Sequence, residues 1–201
     1  MSFIARRRVL HWCSTLALSF AAPVLAQAAE PVQAGGVSFA PTALVDGRTL
    51  MLNGAGVRYK AVFKVYAAGL YLEKKAATAA EVLGHKGAKR LAVTMLRDID
   101  SSELGKLFSR GMEDNLDRST FSRLVPGVLR MSQIFSEHKM LKAGDTFVID
   151  WLPGTGTLIT VKDKPQGAPF REPEFFDALL SIWLGNQPAD WQLKDALLGK
   201  G

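Results

Sequence analysis

The chain has a single cysteine among its 201 residues, Cys13, and it lies in an apolar N-terminal segment. The remainder therefore forms no internal disulfide, carries no thiol nucleophile and offers no zinc–thiolate site. Histidine is nearly as scarce. Of the three, His11 shares the segment of Cys13, while His85 and His138 stand apart in a glycine-rich loop and at a helix end. There is no HExxH pair, no EF-hand loop and no Gly-x-Ser-x-Gly elbow, so neither a metal, a cofactor nor a serine nucleophile is expected. Gly54-Ala55-Gly56 lacks the Gly-Lys-Ser/Thr that would complete a phosphate loop. Basic residues are scattered rather than interleaved with aromatics, which argues against nucleic-acid binding. Glu113, Asp114 and Asp117 cluster beside Arg110 and Arg118 as a charged helix face supported by i,i+4 pairs.

What the chain does have begins with a secretory signal. Arg6, Arg7 and Arg8 precede an apolar run from Val9 to Leu25, and Ala26-Gln27-Ala28 is a small-residue cleavage site. Residues 1–28 are expected to be removed, leaving a periplasmic or secreted protein with no stable membrane span. Cleavage leaves 173 of 201 residues and lowers the net charge from +6 to +3, because three arginines and no acid are lost. Residues 29–36 read as a flexible lead-in, and 37–201 as one domain large enough to bury a continuous core.

Strand-like runs fall at Val37–Phe39, Thr49–Leu52, Val57–Glu73, Lys89–Arg97, Thr146–Leu152 and Thr157–Lys162. Pro153-Gly154-Thr155-Gly156 joins the last two as a hairpin. Helices are expected at Ala79–Leu83, Ser102–Leu116, Thr120–His138, Pro173–Leu184 and Gln192–Leu198, with Thr78/Glu81 as a capping box and Asp190 as the last cap. Pro126-Gly127 should break or kink the third helix. Strands, helices, a hairpin and more helices in that order spell an α+β fold with a mainly antiparallel sheet. Apolar residues at helical spacing, Leu104, Leu107, Phe108 and Met112, then Leu124, Val128, Met131 and Phe135, supply the faces that cover it.

The stretch with most to say about function is NGAGVRYKAVFKVYAAGLYLE, residues 53–73. A glycine-rich turn is expected at Asn53, Gly54 and Gly56, delivering Arg58 to a long strand. All three tyrosines of the protein lie here, and Ala67-Ala68-Gly69 leaves a gap where something bulky could rest on the sheet. An arginine at the mouth of an apolar cleft grips a carboxylate or enolate-like oxygen with two parallel hydrogen bonds. A tyrosine adds a hydroxyl while its ring packs on apolar ligand. Arg58 packed over the sheet against a surface acid is the structural alternative. Arg58 and Tyr66 are eight residues apart, ~26 Å on one straight strand. They meet only if the chain folds back near Lys60–Phe63.

Four motifs in order resemble the chalcone isomerase fold family: the GxGxR…KVYAAGLYLE stretch, Leu91–Leu96, Leu152–Ile159 and Phe176–Gly185. That family includes plant chalcone isomerases, non-catalytic relatives, fatty-acid-binding proteins and bacterial secreted homologues. The resemblance implies an open-faced sandwich with helices on one face of an antiparallel sheet. It matches Arg58 to the arginine that polarises the substrate in the enzymes. Tyr66 stands where the enzymes have a threonine and where the fatty-acid-binding branch tends to have tyrosine. Leu104 and Gly111 occupy the places of a catalytic tyrosine and asparagine. Ile182 and Trp183 occupy those of a polar residue and its neighbour. One cation and one phenol in an otherwise apolar cleft suit an amphipathic acid, such as a fatty acid, better than an enone cyclisation. Two other readings stay open: an intramolecular lyase working through Arg58, and a structural or partner-binding protein whose cleft is filled by side chains, Trp183 among them.

Overall fold

The computed structural model describes residues 29–200; the expected signal peptide lies outside them. The chain opens with a hairpin of β1 (Val32–Ala34) and β2 (Val37–Phe39), then runs through β3 (Thr42–Val45), β4 (Arg48–Lys60), β5 (Phe63–Leu72) and the short α1 (Ala79–Gly84). Next come β6 (Lys89–Met95), β7 (Ile99–Asp100), α2 (Ser101–Glu113), α3 (Arg118–Ser136) and β8 (Met140–Leu141). The chain closes with β9 (Thr146–Leu152), β10 (Gly156–Val161), β11 (Lys164–Pro165), α4 (Pro173–Leu184) and α5 (Trp191–Leu197). Seven strands form one antiparallel sheet in the order β11-β10-β9-β6-β5-β4-β3. The expected α+β class, with a mainly antiparallel sheet and helices on one face, holds.

β5 explains how the layers form. It is an interior strand whose eight residues from Val65 to Leu72 are all buried, so both faces are covered. Tyr66, Ala68, Leu70 and Leu72 join the large core under the helices. Ala67 and Tyr71 join a smaller core on the other side with Phe39 and Ala34. The Ala67–Gly69 gap is occupied: the Phe39 ring of β2 lies so close to Gly69 that a Cβ there would overlap it. Residues 29–36 are accordingly more than a lead-in, since β1 pairs with β2 in the hairpin that carries Phe39 under the sheet. Helix α4 is apolar around nearly its whole circumference and is buried accordingly. Its Trp183 joins Phe108, Phe135 and Phe147 in an edge-to-face cluster, with ring centroids 5.1–5.7 Å apart.

Two further expectations are corrected. The glycines 54 and 56 do not turn the chain; both lie inside β4, and α5 rests on them. A Cβ on Gly54 would strike the Ala196 carbonyl, and one on Gly56 would overlap the Ala196 side chain. The reversal falls at Ala61-Val62 instead, with Ala61 in the left-handed region at φ 53°, splitting the expected run 57–73 into β4 and β5. Of the break or kink expected at Pro126-Gly127, the break does not occur: α3 runs through Pro126. The lost hydrogen bond and ring clash cost ~3 kcal/mol, outweighed by burial of Leu124, Val128, Met131, Ile134 and Phe135 at ~1.5–3 kcal/mol for each large apolar side chain.

Candidate functional site

The fold-back that the Arg58–Tyr66 spacing required is present. Arg58 on β4 and Tyr66 on β5 are direct cross-strand partners, and the ladder is irregular immediately after Arg58. The Arg58 guanidinium carbon lies 5.5 Å from the centroid of the Tyr66 ring. Both residues line a cleft of about 340 Å³ between sheet and helices, toward the small end of the ~300–1,000 Å³ usual for small-molecule sites. Helix α2 supplies Leu104, Leu107, Phe108 and Gly111 to its wall, and α4 supplies Ile182. The segment from Gln187 to Ala189 and the exposed Trp191 complete the rim, with Arg110 and Asp114 at the mouth.

Five of the six residues expected at a ligand site therefore share one wall: Arg58, Tyr66, Leu104, Gly111 and Ile182. Trp183 does not. Successive residues of a helix point ~100° apart, so Ile182 faces the cleft while Trp183 turns inward and is 1% exposed. It acts from behind, its Nε1–H donating to the Tyr66 hydroxyl at 2.8 Å. That bond occupies a lone pair of the hydroxyl and leaves its proton unengaged among the described residues, available to an acceptor in the cleft.

Arg58 is the electrostatic anomaly. No carboxylate lies within 4.0 Å of it among the described residues, and its Nε is buried without a hydrogen-bond partner. Buried donors normally find partners. The acids nearby are engaged elsewhere. Asp190 Oδ1 accepts from the Gln192 and Leu193 amides and Oδ2 from the Tyr59 amide at 2.8 Å, which ties α5 to β4. Asp114 sits 3.7 Å from Arg110. The sequence reading of Asp190 as a cap was sound, but its second bond, to Tyr59, is tertiary and has no local signal. The same holds for the rim segment, where Asn115 accepts from the Gln187 amide and donates to the Gln187 carbonyl. Among the described residues no group of three His, Cys, Asp or Glu side chains is placed to hold a metal ion.

Burial pushes the Tyr66 hydroxyl up to about 12, against an opposing pull from Arg58 and from the Trp183 hydrogen bond. The phenol therefore stays protonated at neutral pH and is a donor, not a base. A folded-state value raised above the ordinary 10.0 favours the folded state below pH ~10, a contribution that declines as pH rises toward ~12. Thermal melts should accordingly show a Tyr66-dependent loss of stability between pH 10 and 12 that Tyr66→Phe abolishes. Burial raises Tyr71 as well, so spectrophotometric titration should find two tyrosines above the ordinary value, of which the one lost in Tyr66→Phe moves later still in Arg58→Ala.

The chalcone isomerase-like family model matches residues 31–199. Among solved structures, the crystal structure of an Arabidopsis thaliana fatty-acid binding protein superposes with a TM-score of 0.63 at 17% sequence identity, covering 82% of this chain and 92% of that one. A search of curated protein sequences finds no match.

Proposed function

The chain belongs to the chalcone isomerase-like family, and we propose that it is an exported, non-catalytic protein that binds a fatty acid or similar apolar acid in the cleft between sheet and helices. The observation that carries this reading is the cation in an apolar cleft: among the described residues Arg58 meets no carboxylate within 4.0 Å, and its guanidinium carbon lies 5.5 Å from the centroid of the Tyr66 ring. A carboxylate in the cleft would take charge-assisted hydrogen bonds from the Arg58 guanidinium. Leu104, Leu107, Phe108 and Ile182 offer the acyl chain an apolar bed. The likeness in fold to a fatty-acid binding protein supports the same ligand class. Export rests on the N-terminal pattern of residues 1–28.

Protein purified from the compartment it reaches tests the proposal in one preparation. Organic extraction followed by mass spectrometry should recover a long-chain acid in near-stoichiometric amount, and N-terminal sequencing should begin at Ala29 or a near neighbour. An empty protein that takes up no added fatty acid would defeat the binding reading, and retention of residues 1–28 would defeat the export reading.

One observation favours an intramolecular lyase as a second reading: Arg58 and Tyr66 together offer two donors to a single oxyanion, as an enolate would need. The wall opposes it, because Leu104 and Gly111 supply no polar group and the protonated Tyr66 is no base at neutral pH. Loss of chalcone absorbance should not exceed the spontaneous rate. A rate proportional to protein concentration and abolished by Arg58→Ala would establish the lyase instead.

A further inference from the structure

The turn that folds Arg58 back onto Tyr66 leaves an unexplained surface. Val62 is 83% and Phe63 59% exposed, the first at the reversal between β4 and β5 and the second at the start of β5. Single exposed apolar side chains are ordinary, but adjacent ones ringed by polar residues mark interaction sites. On either side of them stand Lys60 and Lys64, both exposed, and the Arg97 guanidinium lies over the Phe63 ring at 5.3 Å from its centroid. Across the cleft mouth stands a second aromatic–lysine pair, whose lysine, Lys194, also donates to the Gly185 carbonyl at 2.7 Å. Trp191 is 61% exposed and the Lys194 ammonium lies 4.9 Å from its ring centroid. The Tyr59–Asp190 hydrogen bond holds these two corners together at the cleft rim.

We infer that the β4–β5 turn, with Trp191, is a docking surface for an anionic lipid bilayer, from which the cleft takes its acyl ligand. The inference rests on the binding function proposed above for the cleft. Aromatic rings with adjacent lysine or arginine are the side chains that settle at a membrane–water interface, where apolar tips enter the headgroup boundary and cations meet anionic headgroups. The lysine stems extend the apolar surface while their ammonium groups stay in water. The turn from Arg58 to Leu72 contains no acid. The acids nearest the turn are exposed but engaged: Asp98 accepts from the Ala143 amide, Asp100 caps α2, and Glu103 lies 3.8 Å from Lys60. Beside Trp191, Asp190 is held by the Tyr59, Gln192 and Leu193 amides, and Asp195 is exposed. A protein partner fits less well, because a stable interface needs ~800 Å² from each side and the apolar part of this turn is two side chains. A bilayer accepts a small wedge and rewards charge around it.

The test uses the protein as processed and released by the cell that expresses the full chain. Sedimentation with vesicles of phosphatidylglycerol and phosphatidylcholine should retain it at least ten-fold more strongly than vesicles of phosphatidylcholine alone. The double substitution Val62→Asp/Phe63→Asp should reduce that retention at least ten-fold, and Lys60→Glu/Lys64→Glu should act in the same direction. Both should slow transfer of a fluorescent fatty acid from the vesicles while leaving the affinity for soluble decanoate within two-fold of wild type. Because all four side chains are exposed, melting temperatures should barely move. Equal retention of the Val62→Asp/Phe63→Asp protein, or no retention of wild type by either vesicle, would overturn the docking surface and leave the turn to a protein partner. Vesicle retention intact in a protein that binds no decanoate would instead overturn the cleft reading and leave the docking surface standing.

Discussion

Trp183→Ala is expected to destabilise the fold by about 3–5 kcal/mol, the usual penalty for removing a large buried aromatic ring. Its ring packs edge-to-face on Phe108, 5.7 Å between centroids, so the loss opens a cavity at the centre of the helix–sheet core. It also strips the Tyr66 hydroxyl of its hydrogen-bond donor. Trp183→Phe separates the two effects. It keeps most of the packing and removes only the N–H, so stability should fall by about 1 kcal/mol. Urea denaturation of both variants reads these differences directly. Fatty-acid affinity should survive Trp183→Phe nearly unchanged, because the indole does not face the cleft. A Trp183→Ala protein as stable as wild type but unable to bind ligand would move Trp183 from the core into the binding wall.

Arg58 should behave in the opposite way. Arg58→Ala is expected to weaken binding of a long-chain fatty acid by about 1.5–3 kcal/mol, the net worth of a hydrogen bond to a charged group, roughly a ten- to hundred-fold rise in Kd. Arg58→Lys should restore part of this, since an ammonium supplies the charge without the bidentate fork. The melting temperature should change little in either variant, because among the described residues Arg58 has no ion pair to lose and its Nε has no hydrogen-bond partner. An arginine that braced the sheet would show the reverse, with a clear fall in melting temperature and unaltered affinity.

Most elements announce themselves locally. The span of α4 from Pro173 and that of β9 coincide with the sequence reading, because Pro at a first helical position and β-branched or aromatic runs ended by Pro-Gly are strong local signals. The β4–β5 reversal was hidden for a physical reason. Lys60-Ala61-Val62-Phe63 holds none of the Gly, Asn, Asp or Pro that mark turns, and Ala61 enters the left-handed region without them. The glycines that looked like a turn answer instead to α5, which no local pattern connects to residues 54 and 56. β1 was invisible for a similar reason, since three residues become a strand only through β2.

The site was legible to the extent that it is built on regular elements. Leu104 and Gly111 lie seven positions apart on α2, two turns of one helix face, and both reach the cleft with Arg58 and Tyr66. Trp183 was misplaced by a single helical step. The rim was not legible, because Gln187 is held by Asn115, 72 residues earlier in the chain, and the Ala189–Ile182 backbone bond that closes the segment has no side-chain signal.

Calorimetry with two ligands on two proteins tests most directly whether Arg58 holds a carboxylate. Palmitate and the uncharged alcohol of equal chain length should be titrated into wild type and Arg58→Ala. Wild type should prefer the acid, and Arg58→Ala should lose most of that preference while binding the alcohol as before. Equal weakening for acid and alcohol, or an undiminished preference for the acid in Arg58→Ala, would contradict the assignment of Arg58 as the anchor.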